Sequence, residues 1–258
     1  DVIVNPLPKF KVTSPQIVCL SGPPLTLFIE NPDELYDYVW TAPNGNEFTD
    51  VDEITIESGG LYTVTATTTN GTDCSRTREI QVNESIIATI TDDDVTIVDD
   101  SDNNSITIDP TNLGIGDYQY ALIDENGVQT AFQDIPVFEN LAGGFYTIVV
   151  QDKNGCRPDA NLVVSVIEYP KFFTPNNDGI NDTWAIKGAN STFYPNAQIY
   201  IFNRFGKVVA QIDVDNPGWD GTYGGKILSS DDYWFSIMMV DRNGNARERK
   251  GNFSLLRR

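Results

Sequence analysis

The sequence predicts an all-β protein of tandem immunoglobulin-like β-sandwich domains, about seven strands each. Three observations carry this prediction. The first is a near-repeat: "GGLYTVTATTTNGTDC" (59–74) returns as "GGFYTIVVQDKNGC" (143–156), with Tyr62 over Tyr146 and Asn70-Gly71 over Asn154-Gly155. A fainter copy, "YWFSIMMVDRNG" (233–244), places Phe235 over that tyrosine. Such spacing suits tandem sandwiches better than a solenoid. The second is alternation: Thr63, Thr65 and Thr67 interleave with Val64 and Ala66, the period of a half-buried strand. The third is that each copy ends in Asn-Gly, which favours a type I′ hairpin turn, while no segment sustains helical periodicity. Boundaries are expected near 83–84 and 168–169.

Residues 1–83 read as an immunoglobulin-like or PKD-like sandwich. Cys19 comes early, Trp40 sits in the alternating "YDYVWTAP", and Tyr62 follows Gly-Gly-Leu. A strand-C tryptophan and a tyrosine corner occupy such places. The antibody pattern would put the second cysteine two residues after the tyrosine, where this chain has Val64. Cys74 is the next cysteine along, so Cys19–Cys74 is the expected disulfide, with about 4 kcal/mol of stabilisation from chain entropy. Cys156 is left as a free, semi-buried thiol.

Residues 84–168 read as a second sandwich. Their acidic stretch "TDDDVTIVDDSDNNSITID" (91–109) offers oxygen ligands for calcium, but its apolar alternation favours two strands around a solvated acidic turn.

Residues 169–258 begin with the loop "FFTPNNDGINDTW" (172–184). "AQIYIFN" alternates as a strand, Arg204-Phe205-Gly206 turns it, and "KVVAQI" returns. Trp219-Asp220-Gly221 sets a large ring beside a turn. "DYWFSIMMV" is so continuously apolar that burial on both faces, or a contact, is expected. Asn243-Gly244 then turns the chain into a last strand.

This ordered series resembles the gliding motility-associated C-terminal domain, the type B sorting domain of the type IX secretion system. The motifs are Tyr169-Pro170-Lys171-Phe172-Phe173-Thr174-Pro175-Asn176 with Asp178-Gly179, Asn181-Asp182 and Trp184; Ile201-Phe202-Asn203-Arg204-Phe205-Gly206; Trp219-Asp220-Gly221; Asp232-Tyr233-Trp234-Phe235; and Gly251-Asn252-Phe253 near the end. The family usually has glycine at the position of Asn177 and often tyrosine at that of Phe205. The resemblance implies export across the outer membrane, attachment at the cell surface, and the type IX machinery with an SprF-like outer-membrane β-barrel protein as partners. It also implies that the chain is the C-terminal part of an SprB-like gliding adhesin.

Within the loop, Asn176, Asp178 and Asp182 are candidate calcium ligands, with Gly179 giving the sharp turn. The competing reading is an Asx-turn loop whose side chains bond nearby amides.

Composition narrows the function classes. Histidine is absent from the sequence, which removes Ser-His-Asp and Cys-His catalysis. Walker A, H-E-x-x-H and C-x-x-C motifs are also missing. A non-catalytic protein is expected. The longest apolar run is too short to cross a bilayer. The opening "DVIVNPLPKF" lacks the features of a signal peptide, which suits a mature protein or a fragment.

The net charge of −20 is uneven: residues 1–167 hold 27 acidic and 6 basic side chains, residues 168–258 only 10 and 11. The acidic part should repel nucleic acid and anionic membrane. Basic residues gather at the end, as Arg242, Arg247, Arg249, Lys250, Arg257 and Arg258. Beside Phe253, Leu255 and Leu256 they form a candidate recognition strip for an acidic partner surface. A different function class, a carbohydrate-binding accessory region of a glycan-degrading enzyme, needs an exposed aromatic platform, for which Tyr36, Tyr38 and Trp40 are the candidates. A hydrolase would need paired carboxylates in a cleft.

Overall fold

Residues 5–241 and 244–257 are described here from a computed structural model. The first seven strands are β1 (Gln16–Cys19), β2 (Leu25–Phe28), β3 (Tyr36–Thr41), β4 (Glu47–Thr49), β5 (Glu53–Ile56), β6 (Gly60–Thr68) and β7 (Ser75–Ser85). They form a five-stranded sheet, β1-β7-β6-β3-β4, faced by the β2-β5 pair. Alternation along β6 sends Tyr62, Val64 and Ala66 into the core and leaves the threonines between them half-exposed. Trp40 is fully buried and donates its indole N–H to Val51 O at 3.0 Å. Tyr62 donates to Ser58 O at 2.9 Å, the expected tyrosine corner. Tyr38 is buried beside Trp40 and Tyr36 is half-buried, so the aromatic platform suggested by these three side chains does not form.

The expected disulfide is corrected. Cys19 bonds Cys156, and Cys74 is free. The register explains why. β1 lies parallel to the far end of β7, with Cys19 opposite Ser85. Cys74 precedes the near end of that strand, roughly 35 Å away at 3.3 Å per residue, whereas a disulfide requires Cα atoms within about 7 Å. The Cα atoms of Cys19 and Cys156 are 5.6 Å apart.

The next strands are β8 (Val95–Val98), β9 (Asn104–Ile108), β10 (Tyr118–Asp124), β11 (Val137–Leu141), β12 (Gly144–Asp152) and β13 (Ala160–Val166), in two three-stranded sheets, β10-β12-β13 and β11-β9-β8. The acidic stretch becomes the β8–β9 hairpin. Two of its carboxylates cap local backbone, Asp94 accepting from Thr91 N and Asp109 from Thr111 N. Its turn is not simply solvated, because the side chain of Asp99 is only 7% exposed. Tyr146 repeats the corner, donating to Ala142 O at 2.9 Å. The Asn-Gly turns differ from expectation. Only the glycines, Gly71 and Gly155, have positive φ (79° and 96°), and Gly155 N donates to Asp152 O. This is a type I turn followed by a left-handed glycine rather than type I′.

The last strands are β14 (Phe172–Phe173), β15 (Gln198–Phe202), β16 (Val208–Asp213), β17 (Thr222–Tyr223), β18 (Lys226–Ile227), β19 (Asp231–Val240) and β20 (Ala246–Leu255). One sheet runs β14-β20-β19-β15-β16, and β17-β18 form a separate ribbon. The layer over its inner face is mostly irregular, tied by the paired backbones of Trp184 and Trp219. β19 alternates rather than being buried on both faces: Tyr233, Phe235, Ile237 and Met239 point inward, while Trp234, Met238 and Val240 are at least 40% exposed. The third tyrosine corner is made by Tyr233, which donates to Ser229 O. Phe235, which the gapless repeat placed over the tyrosine, sits two residues later on the same face.

Buried apolar residues form three clusters, spanning Phe10 to Val82, Ala88 to Val166, and Ile167 to Leu255. The joins between them are tight. At the first, Cys19–Cys156 lies beside buried Asp152, whose carboxylate accepts from Ser85 Oγ, Cys156 N and Asp117 N. At the second, Ser165 Oγ donates to Gly188 O, Glu168 accepts from Gly143 N and pairs with Lys187, and the rings of Phe145 and Phe193 lie 5.3 Å apart. Gly188 has φ of 71°, and a Cβ there would strike the Val166 carbonyl.

Candidate functional site in the C-terminal unit

The sequence motifs of residues 169–258 converge on one aromatic core. Phe173 from the first motif, Trp184 after it, Trp219 from "WDG", Tyr233 from "DYWF" and Phe253 from "GNF" all lie within it. Trp184 stacks on Phe253 at 4.0 Å between centroids, and Trp219 meets Tyr233 edge-on at 4.9 Å. Each buried indole finds a carbonyl: Trp184 Nε1 donates to Pro170 O and Trp219 Nε1 to Thr222 O. These motif residues therefore specify the fold of the unit, since buried aromatics need both packing and a partner for the polar edge.

The 174–182 loop is organised by its own amides. Asp182 Oδ1 accepts from Asn176 N and Asn177 N, and Oδ2 from Gly179 N, all within 2.9 Å. Asn176 Oδ1 accepts from Asp178 N, and Asp178 Oδ1 from Ile180 N. Loss of solvent alone would push the Asp182 carboxyl up, but these amides outweigh it and hold the group below the ordinary aspartate range. The geometry is that of nested Asx turns. Calcium at Asn176, Asp178 and Asp182 would have to displace these bonds. Among the described residues, no group of three or more acidic or sulfur side chains is gathered for a metal.

The C-terminal strip is largely turned inward. Phe253 and Leu255 are core residues, so they are corrected from partner contacts to packing; Leu256 is 47% exposed. Arg257 clamps its own unit, donating to the carbonyls of Leu228, Gly221, Asp220 and Pro175. Arg247 Nη1 reaches both carboxylate oxygens of Asp99 at 2.7 and 2.8 Å, and Arg249 pairs with Asp100 at 3.4 Å. Burial alone would weaken Arg247 as a base, but Asp99 more than compensates and its pKa rises. Lys250 pairs with Glu248 at 2.6 Å. Arg242 and Arg258 lie outside the described residues. Two arginines of the basic strip thus meet the acidic β8–β9 turn of the preceding unit, where the sequence had suggested an acidic partner surface.

What remains open on the sheet is its outer face. Tyr200, Trp234 and Met238 are exposed there, around a shallow groove lined by Gln198, Ser236 and Val240.

Comparison with known proteins places this unit. Residues 167–255 match the CHU_C type IX secretion signal domain. The chain thus carries a C-terminal sorting domain, as the ordered motifs implied. A secretion signal domain of this kind marks a protein for the cell surface or extracellular space and implies contact with the type IX machinery. No helix among the described residues is long and apolar enough to cross a membrane. No curated protein matches the chain. Similar solved structures include the Ig1–Ig2 segment of Dpr2 in complex with DIP-Theta (11% identity, TM-score 0.40, covering 98% of this chain and 100% of that one). Others are a two-domain fibronectin type III segment of chicken tenascin (13%, 0.30, 61% and 98%) and a Ca2+-stabilised ice-binding adhesin of an Antarctic bacterium (11%, 0.33, 98% and 75%).

Proposed function

We propose that the chain is the C-terminal part of a non-catalytic surface adhesin of the gliding type. In this reading the secretion signal domain directs export and holds the protein at the outer membrane through an SprF-like β-barrel. The observation that supports it most is the match over 167–255 joined to the covalent and ionic links between the units. A disulfide at one join and a partly buried ion pair at the other suit a stalk that carries load. The carbohydrate-binding alternative loses its platform, because Tyr38 and Trp40 are core residues. The test is a fluorescent passenger fused to residues 167–258 and expressed in a gliding bacterium with a working type IX system. Surface display that disappears when the SprF-like partner is deleted is expected. Display unaffected by that deletion would exclude the partner, and retention inside the cell would exclude sufficiency of the domain.

A further inference from the structure

Tyr169 opens the secretion signal domain and is 4% exposed, yet its hydroxyl has no hydrogen-bond partner among the described residues. Buried hydroxyls are nearly always satisfied, so an orphan needs an explanation. Its ring stacks on Phe235 at 5.0 Å between centroids, which fixes where the hydroxyl points. Asp99, Asp100, Arg247 and Arg249 all act on it electrostatically. Burial holds it protonated far above the usual phenol range, so it is a donor at every physiological pH.

A cavity of about 200 Å3 adjoins it, lined by Asp100, Tyr169, Lys171, Phe235, Arg249 and residues 250–252 of β20. That backbone is unusual. β14 covers β20 only at Ser254 and Leu255. Ser254 donates its amide to Lys171 O, so by strand alternation the amides of Asn252 and Lys250 face the same edge. There no strand among the described residues covers them. One hydroxyl, two amides, an ammonium and a guanidinium therefore border a single small space. Its one carboxylate, Asp100, is loosely held by Arg249 at 3.4 Å.

We infer that this cavity is a binding site for a phosphate group, set at the junction of the acidic unit and the secretion signal domain. Five donors exceed what the two oxygens of a carboxylate use, whereas a tetrahedral oxyanion with up to two charges can engage them together. Arginine and backbone amides are the groups that recognise phosphate elsewhere.

The test uses the full chain. Inorganic phosphate is titrated calorimetrically at constant ionic strength, with chloride as control. In parallel, the protein is sedimented with phosphatidylglycerol vesicles and with phosphatidylcholine vesicles. Saturable one-to-one phosphate binding, with at least about a fivefold loss in Tyr169→Phe and in Lys171→Gln, is expected. Tyr169→Phe should melt no lower than the parent, because it removes only an unpartnered hydroxyl. Sedimentation with phosphatidylglycerol alone, lost in the same variants, would identify the phosphate as a lipid headgroup's. Absence of both kinds of binding, or binding unchanged in both variants, would overturn the site.

Discussion

Asp182 shows how one side chain can hold a whole motif loop. Its two oxygens take three backbone amides, and positive φ at Asn177, Gly179 and Asn181 aims those amides inward. Because the folded carboxyl titrates below its unfolded value, its contribution is complete above the unfolded pKa of about 4. That contribution is lost as pH falls through the folded pKa. Asp182→Asn should therefore melt lower than the parent at pH 7, with the gap closing in acid, as followed by calorimetry. Asp178→Ala should lower the melting temperature equally in calcium and in chelator; a loss confined to calcium would restore the metal reading. Residue types alone made "TPNNDGIND" legible as a carboxamide-rich turn. They could not say which way the oxygens point, because calcium loops and Asx turns draw on the same residues.

At the level of elements, alternation was the most readable signal. It located β6 and β15, and the place of Tyr62 after Gly-Gly-Leu gave the first tyrosine corner, whereas the gapless repeat put Phe235 where Tyr233 makes the third. For β19 a continuous apolar run suggested burial on both faces or a contact. One face is in fact open, and sequence cannot distinguish a covered sheet face from an exposed one. Charge concentration misled for β20, whose cations advertise a surface. There Phe253 and Leu255 lie on the same face as Arg247 and Arg249 and carry that face into the core. Phe253→Ala should cost about 3–5 kcal/mol, as expected for emptying a buried aromatic position. Removing residues 251–258 should unfold the secretion signal domain outright, read as loss of near-ultraviolet circular dichroism from Trp184 and Trp219. Loss of export on such a deletion would then report folding, not recognition. The charge reversal that leaves the join to Asp99 intact is on Lys250, which is exposed and pairs with Glu248 of its own strand, and not on Arg247.

Across the whole molecule, the informative contacts join units far apart in sequence, and these were the least legible. Cys19 finds Cys156 across 137 residues because β1 runs alongside the end of β7 that leads into the next unit. No spacing rule within one unit could have found that. Non-reducing peptide mapping should recover Cys19 joined to Cys156, with Cys74 open to alkylation. Replacing either bridged cysteine by serine should destabilise by up to about 5 kcal/mol in the chain-entropy model, while Cys74→Ser should change little. The second join depends on Arg247 and Asp99. Asp99 is nearly enclosed, at 7% exposure, whereas Arg247 keeps 38% of its side chain in solvent. Breaking the pair from the arginine side leaves a carboxylate in a poorly solvated place. A surface pair is worth at most about 1 kcal/mol, and a broken buried pair costs about 3–5 kcal/mol. Arg247→Ala should fall between them, near 1–3 kcal/mol, and Asp99→Asn should recover part of the loss in the double variant because the stranded charge is gone. Ile167 N also donates to Asp99 Oδ2, so the same carboxylate steadies the backbone on which the secretion signal domain begins. The Arg247→Ala chain should consequently be cut faster by limited proteolysis near residue 167 while the fragments on either side stay folded. Additive effects of the two substitutions, or an unchanged cleavage pattern, would show that the join is held by Gly188 packing and the Glu168–Lys187 pair instead.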